Sequence, residues 1–114
     1  MENRDKTLDS PSNQRPQSDP VWAQLTWKYL NDLPEQLDKI STTLKVKDYS
    51  TIKKQAHRIK GTSGTYHLET ISQGAARLQR LAEDRNPDAI ASAINKVRQL
   101  VELETRRLNS QVKK

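Results

Sequence analysis

The sequence contains no cysteine and no phenylalanine, and only three of its 114 residues are glycine. Without cysteine there is no disulfide framework, no thiolate metal site and no cysteine nucleophile, which fits a reducing compartment. The three glycines, Gly61, Gly64 and Gly74, cannot form either of the glycine-rich loops that cradle nucleotide phosphates. These absences exclude disulfide-stapled domains, thiol enzymes and the common nucleotide-binding loops.

Long hydrophobic runs are also missing. No apolar stretch approaches the ~18 residues of a membrane span, and the chain does not open with a signal-peptide pattern. Hydrophobic residues make up 32% and charged residues 30% of the sequence, so a core forms only if periodicity concentrates the apolar side chains. A chain of this length allows one compact domain. We therefore predict a soluble single-domain protein of the cytoplasm.

The charge is strongly basic, with 20 Lys and Arg against 14 Asp and Glu, a net charge of +6. Such a balance fits either nucleic acid or an acidic protein surface as partner. Residues 1–19 hold 3 basic and 4 acidic residues, and Leu8 is their only large apolar residue after Met1. We predict a disordered polar tail there, since so few apolar groups cannot offset the chain entropy. The predicted domain, residues 20–112, and the two lysines after it carry the excess positive charge.

Four segments have apolar residues mostly at spacings of three or four, which is typical of amphipathic helices. Helix starts are predicted at Pro20 and Pro87, and after Asp48 as N-cap. Pro34 either kinks a long first helix or begins a second one. The expected inward-facing positions are Val21, Leu25, Leu30, Leu33, Leu37, Ile40 and Leu44; Tyr49, Ile52, Ala56, Ile59 and Ser63; Leu68, Ile71, Ala75, Leu78 and Ala82; and Ile90, Ile94, Val97, Val101 and Leu108. Strand signals are absent, so we predict an all-α fold, an antiparallel four-helix bundle of up-down-up-down topology.

His57 has an unusual set of neighbours for a helical histidine. At the positions that share its helix surface, four before and three, four and seven after, lie Lys53, Lys60, Gly61 and Gly64. Glycine inside a helix costs about 1 kcal/mol relative to alanine. Glycine at these positions would be explained if another protein's backbone must approach the imidazole closely. The lysines beside the ring favour the binding of an anion there.

These residues carry a resemblance to a known family. The run AHRIKGTSGTY at residues 56–66 resembles the signature of histidine-containing phosphotransfer (HPt) domains, small four-helix bundles that carry a phosphoryl group on one histidine in multistep phosphorelays. YLNDLP at residues 29–34 resembles the first bundle helix of the family, and AARLQ at residues 75–79 resembles the segment that faces the histidine. The resemblance extends over residues 21–110.

The resemblance implies a role for individual residues. His57 corresponds to the phosphoacceptor, Lys60 to the residue that stabilises the phosphoryl charge, and Gly61 to the opening for the partner. Gln79 corresponds to the side chain that bonds the second imidazole nitrogen, which would fix the tautomer and leave the other nitrogen free to attack phosphorus. His67 departs from the family, which usually has glycine at this position.

The implied partners are response-regulator receiver domains and a hybrid sensor histidine kinase. The basic run that would dock them comprises Lys45, Lys47, Lys53, Lys54, Arg58 and Lys60, and the docking residues we single out are Lys53, Lys54, Arg58, Gly61 and Gly64. The protein is expected to act as a phosphocarrier, with no ATP site, metal or cofactor of its own. Mg²⁺ for the transfer would come from the receiver. A monomer is the expected state.

Other interpretations compete with this one. The chain would alternatively be a non-catalytic basic helical module that binds nucleic acid or an acidic protein surface, or a bundle that occupies receivers without being phosphorylated. A metal site at His57 and His67 is disfavoured, because a predicted break separates them and no third ligand is indicated. Trp22, Trp27 and Tyr29 are expected to pack in the core or at a helix end.

Overall fold

The computed structural model, which describes residues 20–112, consists of four helices and, within that range, no strand. The helices are α1, Pro20–Lys45; α2, Tyr49–Thr65; α3, Glu69–Glu83; and α4, Pro87–Val112. Each of α1 and α3 packs against both α2 and α4, so the helices form a ring in chain order. This is the predicted antiparallel bundle of up-down-up-down topology. The tail predicted for residues 1–19 lies outside the described residues.

Three of the four helices, α1, α2 and α4, begin where the start signals predict. α1 and α4 have proline as first residue, where its missing N–H breaks no helical hydrogen bond. Asp48 accepts a hydrogen bond from the backbone N–H of Thr51 at 3.2 Å and so caps α2. A hydrogen bond from the Thr51 hydroxyl at 2.6 Å, together with this backbone hydrogen bond, holds the pKa of the Asp48 carboxyl below its usual value. Asn86 caps α4 in the same way, with the N–H of Ala89 at 3.1 Å from its side-chain oxygen.

Pro34 lies inside a single helix rather than at the start of a second one. Its ring removes one backbone donor, a loss that costs an isolated helix about 3 kcal/mol. Leu33 and Leu37 on either side of it are fully buried. The burial of this face against the rest of the bundle holds α1 continuous through the proline.

The core consists of the predicted inward-facing stripes, except at the start of α1 and at Leu44 and Tyr49, which are partly buried and pack against it. The predicted positions from Ile52 onward are buried in α2, α3 and α4, including Leu68 just before α3. Val21 and Leu25 are 64% and 45% exposed, however, so their predicted burial is wrong. Leu25 precedes Leu30 by five residues, which at 3.6 residues per turn rotates it by about 140° away from the stripe. Ala23, Thr26 and Tyr29 face inward instead.

The connections after α1, α2 and α3 each contain a non-glycine residue in the left-handed region, Lys47, His67 and Arg85, with φ of 56°, 61° and 54°. After α2, the N–H of His67 donates to the carbonyl of Gly64 at 3.0 Å and that of Leu68 to the carbonyl of Ser63 at 2.8 Å. This is the Schellman pattern of helix ends, in which the left-handed position is usually glycine. The departure from the family at His67 therefore falls on a position whose backbone favours glycine.

We expect His67→Gly to raise the free energy of unfolding by about 1 kcal/mol, because glycine removes the left-handed strain of a residue with a Cβ. Denaturant unfolding followed by circular dichroism measures the change. His67→Ala is the matched control, since it also removes the imidazole but keeps the Cβ, and it should give no gain. Equal stabilisation by both substitutions would contradict the backbone explanation.

None of the described helices combines the length and the apolar character that crossing a membrane requires.

Candidate functional site

His57 lies exposed on the outer surface of α2, directly after the fully buried Ala56. Ile59 and Ser63 continue the buried face towards the end of the helix. The core thus anchors the side of α2 behind His57, and the imidazole projects from a rigid element rather than a loop. A group on a packed helix has little freedom to move away from a partner.

Two contacts join α2 to α3 on either side of His57. The Ser72 hydroxyl donates a hydrogen bond to the backbone carbonyl of Lys60 at 3.0 Å. The Lys53 ammonium pairs with the Glu83 carboxylate at 2.8 Å. Because the two helices are antiparallel, the chain numbers rise along α2 as they fall along α3. His57 lies between these contacts, in the groove that α2 and α3 form.

Gln79 lies level with His57 on the facing helix. His57 follows Lys53 by one helical turn, and Gln79 precedes Glu83 by one turn, so both are displaced in the same direction from the ion pair. Gln79 is half-buried and His57 is exposed. Within residues 20–110, no hydrogen bond joins the two side chains. The orienting role of Gln79 stays a prediction.

The glycines of α2 leave the surface beside His57 open. A methyl group built on Gly61 would meet no atom within 4 Å, and one on Gly64 would meet only the Ser72 hydroxyl, at an ordinary 3.7 Å. No glycine in the described part of the chain has a positive φ. Neither the packing nor the backbone of this bundle therefore requires glycine at position 61.

The predicted docking cations differ in whether they form an ion pair with an acidic side chain of the bundle. Lys54, Arg58 and Lys60 are exposed, and among the ion pairs of the described residues none involves them. Lys53, in contrast, is engaged by Glu83 of α3. Lys54 and Lys60, each three residues from His57 along the helix, are therefore the unpaired ammonium groups beside it.

α1 supports the site from behind through Tyr29, a contact the sequence reasoning missed. The Tyr29 hydroxyl lies 2.9 Å from the Ser63 hydroxyl and donates to the Ile59 carbonyl at 3.4 Å. Burial raises the pKa of Tyr29, and the hydrogen bond with Ser63 lowers it by less. The nearby Tyr66 adds to the rise, so the phenol stays protonated. Tyr29 also stacks on Tyr66 with ring centroids 5.2 Å apart. A serine within an apolar stripe was the one available signal for this contact.

Ser72 and Glu83 were missed as well. Both lie on α3, and neither position stands out in the sequence, because only the alignment of α3 against α2 brings them to Lys60 and Lys53.

The aromatic residues at the start of α1 pack at the end of the bundle, as predicted. The Trp22 ring lies 5.1 Å from that of Tyr66 and 6.5 Å from the His67 imidazole. Trp27 is 46% exposed, and its indole N–H donates to the Asn109 side chain at 3.0 Å. His67 thus belongs to this end rather than to the groove of His57.

No group of three or more His, Asp or Glu side chains suited to a metal ion occurs among the residues that the structure describes.

The geometry defines a four-helix bundle with an exposed histidine on a groove-lining helix. A comparison with protein families agrees, since the model of the Hpt domain family matches residues 24–109. The chain therefore belongs to the Hpt domain family, whose members carry out histidine phosphotransfer in phosphorelays and interact with receiver domains. No curated protein and no solved structure matched the chain in the corresponding searches.

Proposed function

We propose that this protein is a phosphocarrier of a two-component phosphorelay that accepts a phosphoryl group on His57 and passes it to a receiver aspartate. One observation carries the proposal: His57 is exposed beside Gly61, which the bundle itself does not require, and beside Lys60, which has no acidic partner in residues 20–110. Family membership supports the same function.

The chemistry is a displacement at phosphorus. The lone pair of one imidazole nitrogen forms the P–N bond while the P–O bond to the receiver's aspartate breaks, and the carboxylate leaves with the bonding electrons. The onward transfer reverses these changes on a second receiver. The protein's part is positioning and charge stabilisation, because phosphoryl transfer needs little covalent chemistry from the protein.

Three residues of this chain divide that work. His57 supplies the nucleophilic nitrogen, and Lys60 places a cation against the equatorial phosphoryl oxygens. Gln79, level with His57 on α3, would accept or donate at the second ring nitrogen and so fix the tautomer. Lys54 and Arg58 would meet the acidic surface of the receiver, and Gly61 and Gly64 would let its backbone approach.

The remaining components belong to the partners. A hybrid sensor kinase and receiver domains would exchange the phosphoryl group with His57, and the Mg²⁺ ion would be held by the acidic residues of the receiver. The carrier needs no ATP site for this role, and one copy of the chain contains all the residues named.

The test is incubation of the full chain with a receiver domain labelled with ³²P on its aspartate. We expect label to move to this protein and then to an unlabelled second receiver. Absence of transfer from every receiver tested would overturn the proposal. Tight binding to duplex DNA with a steep salt dependence, together with no phosphotransfer, would favour the alternative of a basic nucleic-acid module.

Replacing Lys60 by alanine is expected to slow phosphotransfer by about tenfold, because one charge-assisted contact to the phosphoryl group is lost. The free energy of unfolding should change by less than about 0.5 kcal/mol, since Lys60 is exposed. Rapid-quench kinetics and denaturant unfolding measure the two effects. Lys39→Ala on α1 is the matched control, as it removes another exposed lysine from a helix. A large loss of stability with an unchanged rate would contradict the assignment of Lys60.

A further inference from the structure

The ion pair between Lys53 and Glu83 lies one helical turn from His57. Its Nζ and Oε2 atoms are 2.8 Å apart, and the two side chains are 46% and 50% exposed. Exposed pairs of this kind contribute little to folding stability. Any functional importance of this ion pair therefore comes from its position beside His57 rather than from its contribution to stability.

Lys53 and His57 are four residues apart on α2, a spacing that brings their Cβ atoms within about 5–6 Å on one helix surface. A phosphoryl group on His57 would add about two negative charges at that surface, as phosphorylation does on other side chains. Lys53 would then have two possible partners, the phosphoryl group and the Glu83 carboxylate. Lys60, three residues after His57, has no competing acid within residues 20–110.

We propose, on the basis of the phosphocarrier function above, that Glu83 is a positioning residue that withholds Lys53 from the phosphoryl group on His57. Of the three lysines within four residues of His57, Lys54 and Lys60 have no acidic partner within residues 20–110, and Lys53 is held by α3. Lys60 stabilises the transferring group. The phosphorylated form is thereby kept less stable than it would be with Lys53 free as well. A carrier gains from this balance, because a phosphoryl group that is bound too tightly is not passed on.

The experiment is a measurement of the equilibrium constant for phosphoryl exchange between a receiver and the full chain. This constant depends only on the relative stability of the phosphorylated and unphosphorylated forms of the two free proteins, so changes in docking affinity do not enter it. We expect Glu83→Gln to shift the equilibrium about fivefold towards phosphorylated His57, the size of an exposed charge interaction.

Asp38→Asn is the matched control. Asp38 pairs with Arg98 at 2.8 Å, the same separation as in the Lys53–Glu83 pair, but at the α1–α4 contact on the opposite side of the ring of helices. Both substitutions remove one negative charge and one exposed ion pair. Asp38→Asn should leave the equilibrium constant within about twofold of wild type, the size of a screened long-range effect. An equal shift in both variants, or none in Glu83→Gln, would overturn the inference.

A double-mutant cycle tests whether Glu83 acts through Lys53. In a Lys53→Gln background, Glu83→Gln should lose most of its effect on the equilibrium constant. An undiminished effect would mean that Glu83 repels the phosphoryl group directly, and the positioning role would be wrong. Failure of the proposed function would be recognised separately. In that case wild-type protein would accept no phosphoryl group from any receiver, and there would be no equilibrium constant to measure.

Discussion

Replacing His57 by glutamine is expected to abolish phosphoryl acceptance while leaving the fold intact. Glutamine has no nitrogen whose lone pair can attack phosphorus, because the amide lone pair is delocalised into the carbonyl. The His57 side chain is exposed and makes no hydrogen bond within residues 20–110, so the free energy of unfolding should change by less than about 0.5 kcal/mol. The measurement is transfer of label from a phosphorylated receiver, with unfolding followed in parallel.

His67→Gln is the matched control for this variant, since it removes the only other histidine of the chain. His67 lies at the turn beside Trp22, away from the groove between α2 and α3, and its loss should leave acceptance in place. Label on His57→Gln at the wild-type level would refute His57 as the acceptor. Loss of acceptance only in His67→Gln would move the site to the turn.

Gly61→Leu is expected to affect stability and function in opposite directions. The side chain would enter open space on α2, and the gain in helix propensity should raise the free energy of unfolding by about 0.5–1 kcal/mol. The same side chain would stand between His57 and an approaching receiver backbone. Displacement of the reacting groups by even about 1 Å can cost on the order of 100-fold, and we expect phosphotransfer to slow by between about tenfold and 100-fold.

Denaturant unfolding and transfer kinetics on the same preparations measure both effects. Ser92→Leu is the control, because it adds an exposed leucine to α4 rather than beside His57. That variant should transfer at the wild-type rate. An unchanged rate in Gly61→Leu would mean that no partner approaches this surface, and a loss of stability would mean that glycine serves the fold.

Most of the bundle could be predicted because helix formation and burial follow from spacing along the chain. The stripes of α2, α3 and α4 are confirmed, as is the cap at Asp48. The prediction failed at Val21 and Leu25, where a spacing of five broke the periodicity that the assignment relied on. Pro34 left two possibilities open, since its local cost can be offset only by packing that the sequence does not display.

The candidate site likewise contains some features that spacing along the chain predicts and others that it does not. His57, Lys60 and Gly61 share one helix surface, and spacing within a helix is enough to group them. The Lys53–Glu83 and Lys60–Ser72 contacts join different helices, and residues that distant in sequence meet only through the alignment of α2 against α3.

Sequence alone thus determined the helical fold, the basic character and the histidine with its neighbours, because each depends on composition or on contacts within one helix turn. Only the tertiary structure decided that α1 continues through Pro34, that Gly61 faces open space, and that Glu83 engages Lys53 one turn from the imidazole. These features depend on how whole helices are aligned against one another. That alignment results from the packing of the entire core, and it cannot be predicted from any single segment of the chain.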